Sequence, residues 1–271
     1  MFILIKFEKN DLIQNGHISA EKKLYKDSIV GVHSHDFFEF EYIVSGGGSY
    51  CIDGVDYEIK DKSLYFMTPV NFHSIDMKDT VFYNVMFSAD MCNIEKLSKL
   101  FTLKPTVICV DDETDKLFCS LLDELCKYCN NTEYATTILE TIIMKICLLS
   151  NNENTDNVSS DIRKCELFIL ENFRGNINLS EAAKFAILSE SHFSRKFLCE
   201  TGKNFKDYLD TIRFDYAKKL LIYSEMTVLQ ICSECGFNDY PNFVRRFKKK
   251  NGVSPLEYRN IQRSKSVSFQ S

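Results

Sequence analysis

The sequence predicts an α+β protein of two domains: an N-terminal β-barrel with an antiparallel helix pair, then an all-α domain. Three observations predict it. Short runs rich in β-branched and aromatic residues, separated by turn residues, fill the chain to about residue 110. From residue 114 the apolar period changes to three and four. The charge is divided: residues 161–271 hold 19 Lys+Arg and 13 Asp+Glu, net +6, whereas residues 1–160 hold 14 and 25, net −11. At 271 residues the chain can build two cores. A basic module after an acidic one points to a polyanion as partner of the former only.

Several classes are set aside by composition. Hydrophobic content of 45% and charged content of 26% are those of a globular chain. Phe2-Ile3-Leu4-Ile5 ends at Lys6, too short for a signal-peptide core, and no apolar run approaches a bilayer span, so a cytoplasmic protein with no membrane contact is expected. The 11 cysteines are odd in number and scattered, unlike a secreted framework. Cys126/Cys129 and Cys232/Cys235 have CxxC spacing but lie in helical patterns, with no second pair at zinc spacing nearby. They read as buried helix positions.

In the β region, Gly46-Gly47-Gly48 separates the run Phe38–Val44 from Ser49–Ile52. Asp53-Gly54 then marks a two-residue hairpin before Val55–Ile59. Ser63–Thr68, Asn71–Ile75 and Val81–Phe87 follow as strands. His33, His35 and Glu39 fall on odd positions, so an extended strand points all three to one face. The spacing H-x-H-x3-E-x6-G, ending at Gly46, resembles the first motif of the cupin superfamily, and Pro69–His73 resembles a shortened second motif. The resemblance implies a cupin-like barrel. It also implies a metal set of His33, His35, Glu39 and His73, as metal-binding cupins have. The same groups can instead line a polar ligand pocket with tyrosines, Tyr42 foremost and Tyr50, Tyr57 and Tyr65 also available. The pocket reading ranks first, with a small-molecule effector, a sugar among the options, as its occupant. No cofactor and no catalytic residue is assigned.

Leu117, Phe118, Leu121, Leu122 and Leu125 form one helical stripe, and Ile138, Ile142, Ile143, Ile146 and Leu149 another. Asn130-Asn131-Thr132 breaks them. The pair either covers the barrel or forms the seam of a homodimer. Residues 1–150 are therefore assigned to a sensing or dimerisation domain, the polar run 151–160 to a linker, and 161–271 to a helical domain.

The helical domain opens with Ile162, Cys165, Ile169 and Phe173 on one face, up to Arg174-Gly175. Ser180 is read as the cap of a short Ala-rich helix, Glu181–Ala186, followed by Glu190–Glu200 and a Thr201-Gly202 stop. Asn204 caps Phe205–Tyr223; Thr227–Gln230 is a capping-box start for a helix ending at Gly236. Asp239 caps a helix with Pro241 in its first turn and Asn251-Gly252 as its stop, and Ser254–Glu257 opens the last helix, Pro255–Gln262. Phe193/Phe197 and Phe243/Phe247 repeat the same i,i+4 pair, so the domain reads as helix-turn-helix, connecting helix, helix-turn-helix.

Over about 100 residues this pattern resembles the AraC/XylS family of bacterial transcription regulators. The residues carrying it include Leu179-Ser180, Phe193-Ser194-Arg195-Lys196-Phe197, Ile212-Arg213, Gly236-Phe237, Phe247-Lys248-Lys249 and Ser254-Pro255. The resemblance implies double-stranded DNA and RNA polymerase as partners and two recognition helices. The four phenylalanines are then core. Ser191, Ser194 and Arg195, with Tyr240, Asn242 and Arg245, face the bases, while Lys196, Arg246, Lys248 and Lys249 meet phosphate. The connecting helix, about 19 residues at 1.5 Å each, is roughly 28 Å long, against about 34 Å between successive major-groove faces. Two alternatives stay open: a metal-dependent cupin enzyme fused to a DNA-binding domain, and a regulator without ligand response.

Overall fold

The computed structural model describes residues 5–7, 18–100, 107–149 and 158–268. Seven strands form one sheet: β1 (Ile5–Phe7), β2 (Ser19–His35), β3 (Phe38–Ile52), β4 (Val55–Glu58), β5 (Ser63–Met67), β6 (His73–Phe87) and β7 (Val107–Cys109). Their order is β1-β2-β6-β3-β5-β7, with β4 also on β3. Among the described residues β1 and β2 pair parallel and every other pairing is antiparallel.

Two strands are longer than the sequence implied. β3 runs through the three glycines instead of ending at them, and β6 joins Asn71–Ile75 to Val81–Phe87. The glycines serve close approach. Gly48 has φ +122°, and a Cβ there would lie 1.9 Å from the Asp76 carbonyl oxygen on β6. The β3–β6 register slips on either side of Ser45, so the glycines mark bulges. The Asp53-Gly54 hairpin is as expected, with both residues at positive φ (53° and 83°).

The pleat divides the sheet into two faces. Phe38, Phe40 and Tyr42 of β3 and Tyr83, Val85 and Phe87 of β6 share a core with the helices that follow. Those are α1 (Ile94–Leu100), α2 (Asp112–Tyr128), α3 (Thr132–Leu149) and α4 (Ser160–Asn172). Each buried aromatic contributes roughly 1.5–3 kcal/mol. Polar bonds fix α2 to the sheet: the hydroxyl of Tyr42 donates to Asp115 (2.7 Å) and that of Tyr83 to Asp123 (2.6 Å). The other face carries Ile43, Tyr50, Tyr65, Met67, Met77 and Phe82.

Contacts group Ile5–Glu171 into one compact unit and the chain from Asn172 into another. The sequence put the boundary at 151–160, of which 151–157 lie outside the described residues. The difference is α4. Its Leu167 joins the core of the sheet and helices, Lys164 pairs with Glu95 (3.1 Å), and Glu171 accepts a bond from the Ala89 amide (2.6 Å).

The second unit contains α5 (Leu179–Phe185), α6 (Glu190–Thr201), α7 (Phe205–Tyr223), α8 (Val228–Glu234), α9 (Tyr240–Asn251) and α10 (Pro255–Ser268). Local chemistry sets their ends. Asn178, not Ser180, caps α5, and its capping box with Glu181 satisfies two amides. Asn204, Thr227 and Asp239 cap α7 to α9 as read from the sequence, Ser189 caps α6, and Gly202 and Gly252 close α6 and α9 in the left-handed conformation. α10 continues past Gln262 to Ser268. All 11 cysteines are free thiols. Burial pushes Cys126 up to about 11 and Cys235 well above the usual range, as expected of packed helix positions.

Candidate functional site

In the helical unit, α6 and α9 each bury two phenylalanines and turn the rest of their surface outward. Phe193 and Phe197 pack against Phe205 and Tyr208 at the start of α7, with ring centroids 5.3–6.2 Å apart. Phe243 and Phe247 pack against Phe214 further along it, at 5.8 and 6.0 Å. Ser191, Arg195, Tyr240, Arg245, Lys248 and Lys249 are exposed; Ser194, Lys196 and Asn242 are half-buried. Arg195 Nε donates to the Ser191 carbonyl (3.3 Å), and Arg245 Nη2 to Asn242 Oδ1 (3.0 Å). These bonds hold each guanidinium along its own helix, two residues from the buried phenylalanines.

Arg246 departs from the phosphate-contact expectation. Its guanidinium turns inward to Asp210 of α7 and lies over the Phe214 ring, 5.5 Å from the centroid. Its position is one step nearer the buried face, and Asp210, which the sequence reading left unused, supplies the opposite charge there. Lys196, its counterpart on α6, lies 3.9 Å from Glu200 of the same helix.

In the sheet unit a cavity of about 240 Å³ lies on the inner face. Its lining includes His33, His35 and Glu39, together with Glu41, Asn84, Tyr25 and Phe82. His35 Nε2 is 3.0 Å from Glu39 Oε2 and His73 Nε2 is 3.2 Å from the same oxygen, although the second contact lacks hydrogen-bond geometry. A carbonyl can only accept, so His33 Nδ1 donates to Gly31 O (2.9 Å) and His35 Nδ1 to Phe37 O (2.8 Å). Both nitrogens of His35 face acceptors, Phe37 O and Glu39 Oε2.

Burial, and then His73, push His33 down to about 3; burial likewise lowers His73. Burial alone would raise Glu39, but the charge and hydrogen bond of His35, with His73 close by, outweigh it and hold the carboxyl well below its ordinary range. Glu41 goes the other way, to about 8, through burial and the neighbouring Glu39.

His33, Glu39 and His73 each offer a ligand atom within 4.8 Å of the others, all buried. Two neutral imidazoles, that of His33 with its Nδ1 tied to the Gly31 carbonyl, beside an ionised carboxylate fit a divalent transition metal by donor type. These three residues would hold it.

A helix-turn-helix domain family matches residues 182–261. The uncharacterized HTH-type transcriptional regulator YfiF of Bacillus subtilis is 23% identical over 259 residues, 88% of this chain and 82% of that protein. The HTH-type transcriptional activator RhaR of Enterobacter sp. is 22% identical over 291 residues, 97% of this chain and 99% of that one. Among solved structures, the C-terminal domain of AraT, a response regulator from Geobacillus stearothermophilus, is 30% identical, with a TM-score of 0.37 over 38% of this chain and 87% of that one. Residues 182–261 are thus an AraC-type helix-turn-helix domain. The chain is a DNA-binding transcription regulator with an antiparallel sheet in its N-terminal region and a helical C-terminal domain. Among the described residues no helix is long and apolar enough to cross a membrane.

The structure brings His33, His35, Glu39 and His73 together. It does not bring in Tyr42, whose even position sends it to the opposite face, against Phe118 and Asp115. Glu41 and Asn84 went unread. Glu41 shares the odd parity of Glu39 and was open to the same argument. Asn84 enters only through register, opposite Glu41 across the β3–β6 ladder.

Proposed function

We propose that the protein is an effector-responsive regulator: the cavity of the N-terminal sheet, read as a cupin-like barrel, takes a small molecule, and two helix-turn-helix units, α5–α6 and α8–α9, read one operator. In this reading Arg195 and Arg245, with Ser191, Ser194, Tyr240 and Asn242, face the bases, and Lys196, Lys248 and Lys249 contact phosphate. The module 161–271 docks on DNA beside RNA polymerase in the cytoplasm. A second copy of the chain pairs through α2 and α3, whose Leu117, Met144 and Leu148 are exposed.

The observation that carries the reading is the equivalence of Arg195 and Arg245. Each is exposed and two residues from two buried phenylalanines, on helices packed at different points of the 19-residue α7. The test is selection of duplexes from a random pool by the full chain. Two enriched half-sites about 10–10.5 base pairs apart are expected. Enrichment of one half-site alone would leave a single reading helix and end the two-unit proposal.

A further inference from the structure

The inner cavity is rich in hydrogen-bond acceptors and short of donors. The Asn84 amide group donates to Glu39 Oε1 (2.7 Å) and Glu41 Oε1 (3.0 Å), which commits both of its hydrogens. That leaves Asn84 Oδ1 and Glu41 Oε2 buried without a donor. The Tyr50 hydroxyl is also near Glu41, but it is directed at Met67 Sδ (3.5 Å). Among the described residues the one lysine in the lining, Lys23, pairs with Glu21 (3.2 Å), and no arginine lines the cavity. Aromatic rings form part of the wall: Tyr25 meets Phe82 edge to face at 5.1 Å, and Phe37 stacks on His35 at 4.2 Å.

Given the effector-pocket reading above, on which this rests, we propose that the ligand is a small aliphatic amine in its ammonium form, bound with its N–H groups toward Glu41, Asn84 and Glu39 and its carbon chain against Tyr25 and Phe82. A primary ammonium brings three donors and no acceptor, which complements the unmatched groups. Its charge is opposite to that of the Glu39 carboxylate, and the face of an aromatic ring attracts a cation. A sugar brings as many acceptors as donors and would leave its own oxygens unmatched. An organic anion would meet two carboxyl groups. A bare metal ion would leave the aromatic wall and most of the 240 Å³ unused. That volume is below the roughly 300–1,000 Å³ typical for drug-sized ligands, so the amine is small.

The test is calorimetric titration of the full chain, stripped with chelator, with butylamine, ethanolamine and putrescine. Butanol, ethylene glycol, glucose and zinc chloride are titrated in parallel, and thermal unfolding is followed in each arm. At least one amine is expected to bind, and its uncharged counterpart to bind roughly tenfold or more weaker, as loss of a charged hydrogen bond implies. Glu41→Gln should cost the amine about the same factor. Tyr25→Leu, at the half-exposed rim, should weaken it severalfold and guards against a Glu41 variant that does not fold. Equal binding of butylamine and butanol would overturn the proposal. Binding of glucose or zinc alone would overturn it while leaving the pocket a sensor. No binding and no thermal shift in any arm would remove both the amine and the effector-pocket reading.

Discussion

In the first half of the helical unit, α6 rests on Phe205 and Tyr208, and the chain turns into it through Ile187, which is 89% exposed. In the second half, α9 rests on Phe214, and the turn before it holds Gly236 against the backbone of Phe173 and Arg174. Both turn residues have positive φ, 57° and 77°. The motif is the same and its attachment is not. The second half adds the Arg246–Asp210 pair, and Arg213 beside the turn donates to Phe173 O (2.8 Å) and Gly175 O (2.7 Å). A repeated pattern in sequence thus becomes one unit held mainly by apolar packing and another also locked by close backbone approach and charge.

The largest test of that contrast is Gly236→Ala. A Cβ there would meet Arg174 O at 2.7 Å and Phe173 O at 2.8 Å, and neither backbone atom can yield cheaply. Left-handed strain adds to the clash, so a loss of roughly 3–4 kcal/mol is expected. Gly252→Ala, at φ +81° with nothing within 4 Å, should cost only about 1–2 kcal/mol. Denaturant unfolding of the full chain, followed through the helical unit's transition, measures both. Equal losses would mean that the second turn is no more tightly held than an open cap.

Next comes the ion pair. Arg246→Met strands the Asp210 carboxylate, whose side chain is 10% exposed, while that of Arg246 is 29% exposed. Discounted for this partial exposure, the loss is expected at roughly 2–3 kcal/mol. Lys196→Met should change stability by less than about 0.5 kcal/mol. In a double-mutant cycle, Asp210→Asn added to Arg246→Met should recover part of the loss. Strict additivity would show that the two groups do not interact in solution.

How far the sequence reached follows the same division. The caps of α7 to α9, the Phe pairs and the arginine phase were legible because they are local, fixed by spacings of three and four. The inward turn of Arg246 was not, because its partner lies 36 residues away on another helix. In the sheet, parity placed His33, His35 and Glu39 together but was not applied to Tyr42 or Glu41. Asn84 depended on β3–β6 pairing, which no spacing within one strand reveals. The glycines were read as a break, because a bulge and a turn demand the same residue type and differ only in what the opposite strand does.

The arginines compare the two halves in function. Arg195→Ala and Arg245→Ala should each cost roughly 1–3 kcal/mol on the selected operator and relax preference at one base pair. Lys248→Ala should weaken cognate and unrelated DNA alike and lower the salt slope by about one unit. Titrations at two salt concentrations against single-base operator variants separate these outcomes. A loss for Arg245→Ala that is equal on every sequence would make it a phosphate contact and end the proposed orientation of α9.

The smallest effect has the opposite sign. Ile187 is a β-branched residue at φ +57°, where an L side chain costs roughly 1–2 kcal/mol. Being 89% exposed, it returns almost no burial for that cost. The turn's bonds are from backbone: Ile187 N donates to Lys184 O (3.0 Å) and Leu188 N to Ala183 O (2.9 Å), and glycine keeps both. Glycine loses more freedom on folding, about 0.5–1 kcal/mol, so Ile187→Gly should stabilise the helical unit by about 0.5–1 kcal/mol. The same backbone conformation would then accept glycine with profit in one half and forbid anything but glycine in the other, because only the second turn is closed over by Phe173 and Arg174. A gain in stability with unchanged operator affinity is the expected result. A loss of affinity in Ile187→Gly at unchanged stability would show that the exposed side chain meets the DNA or a protein bound beside it, and the first turn would have to be counted as part of the interface.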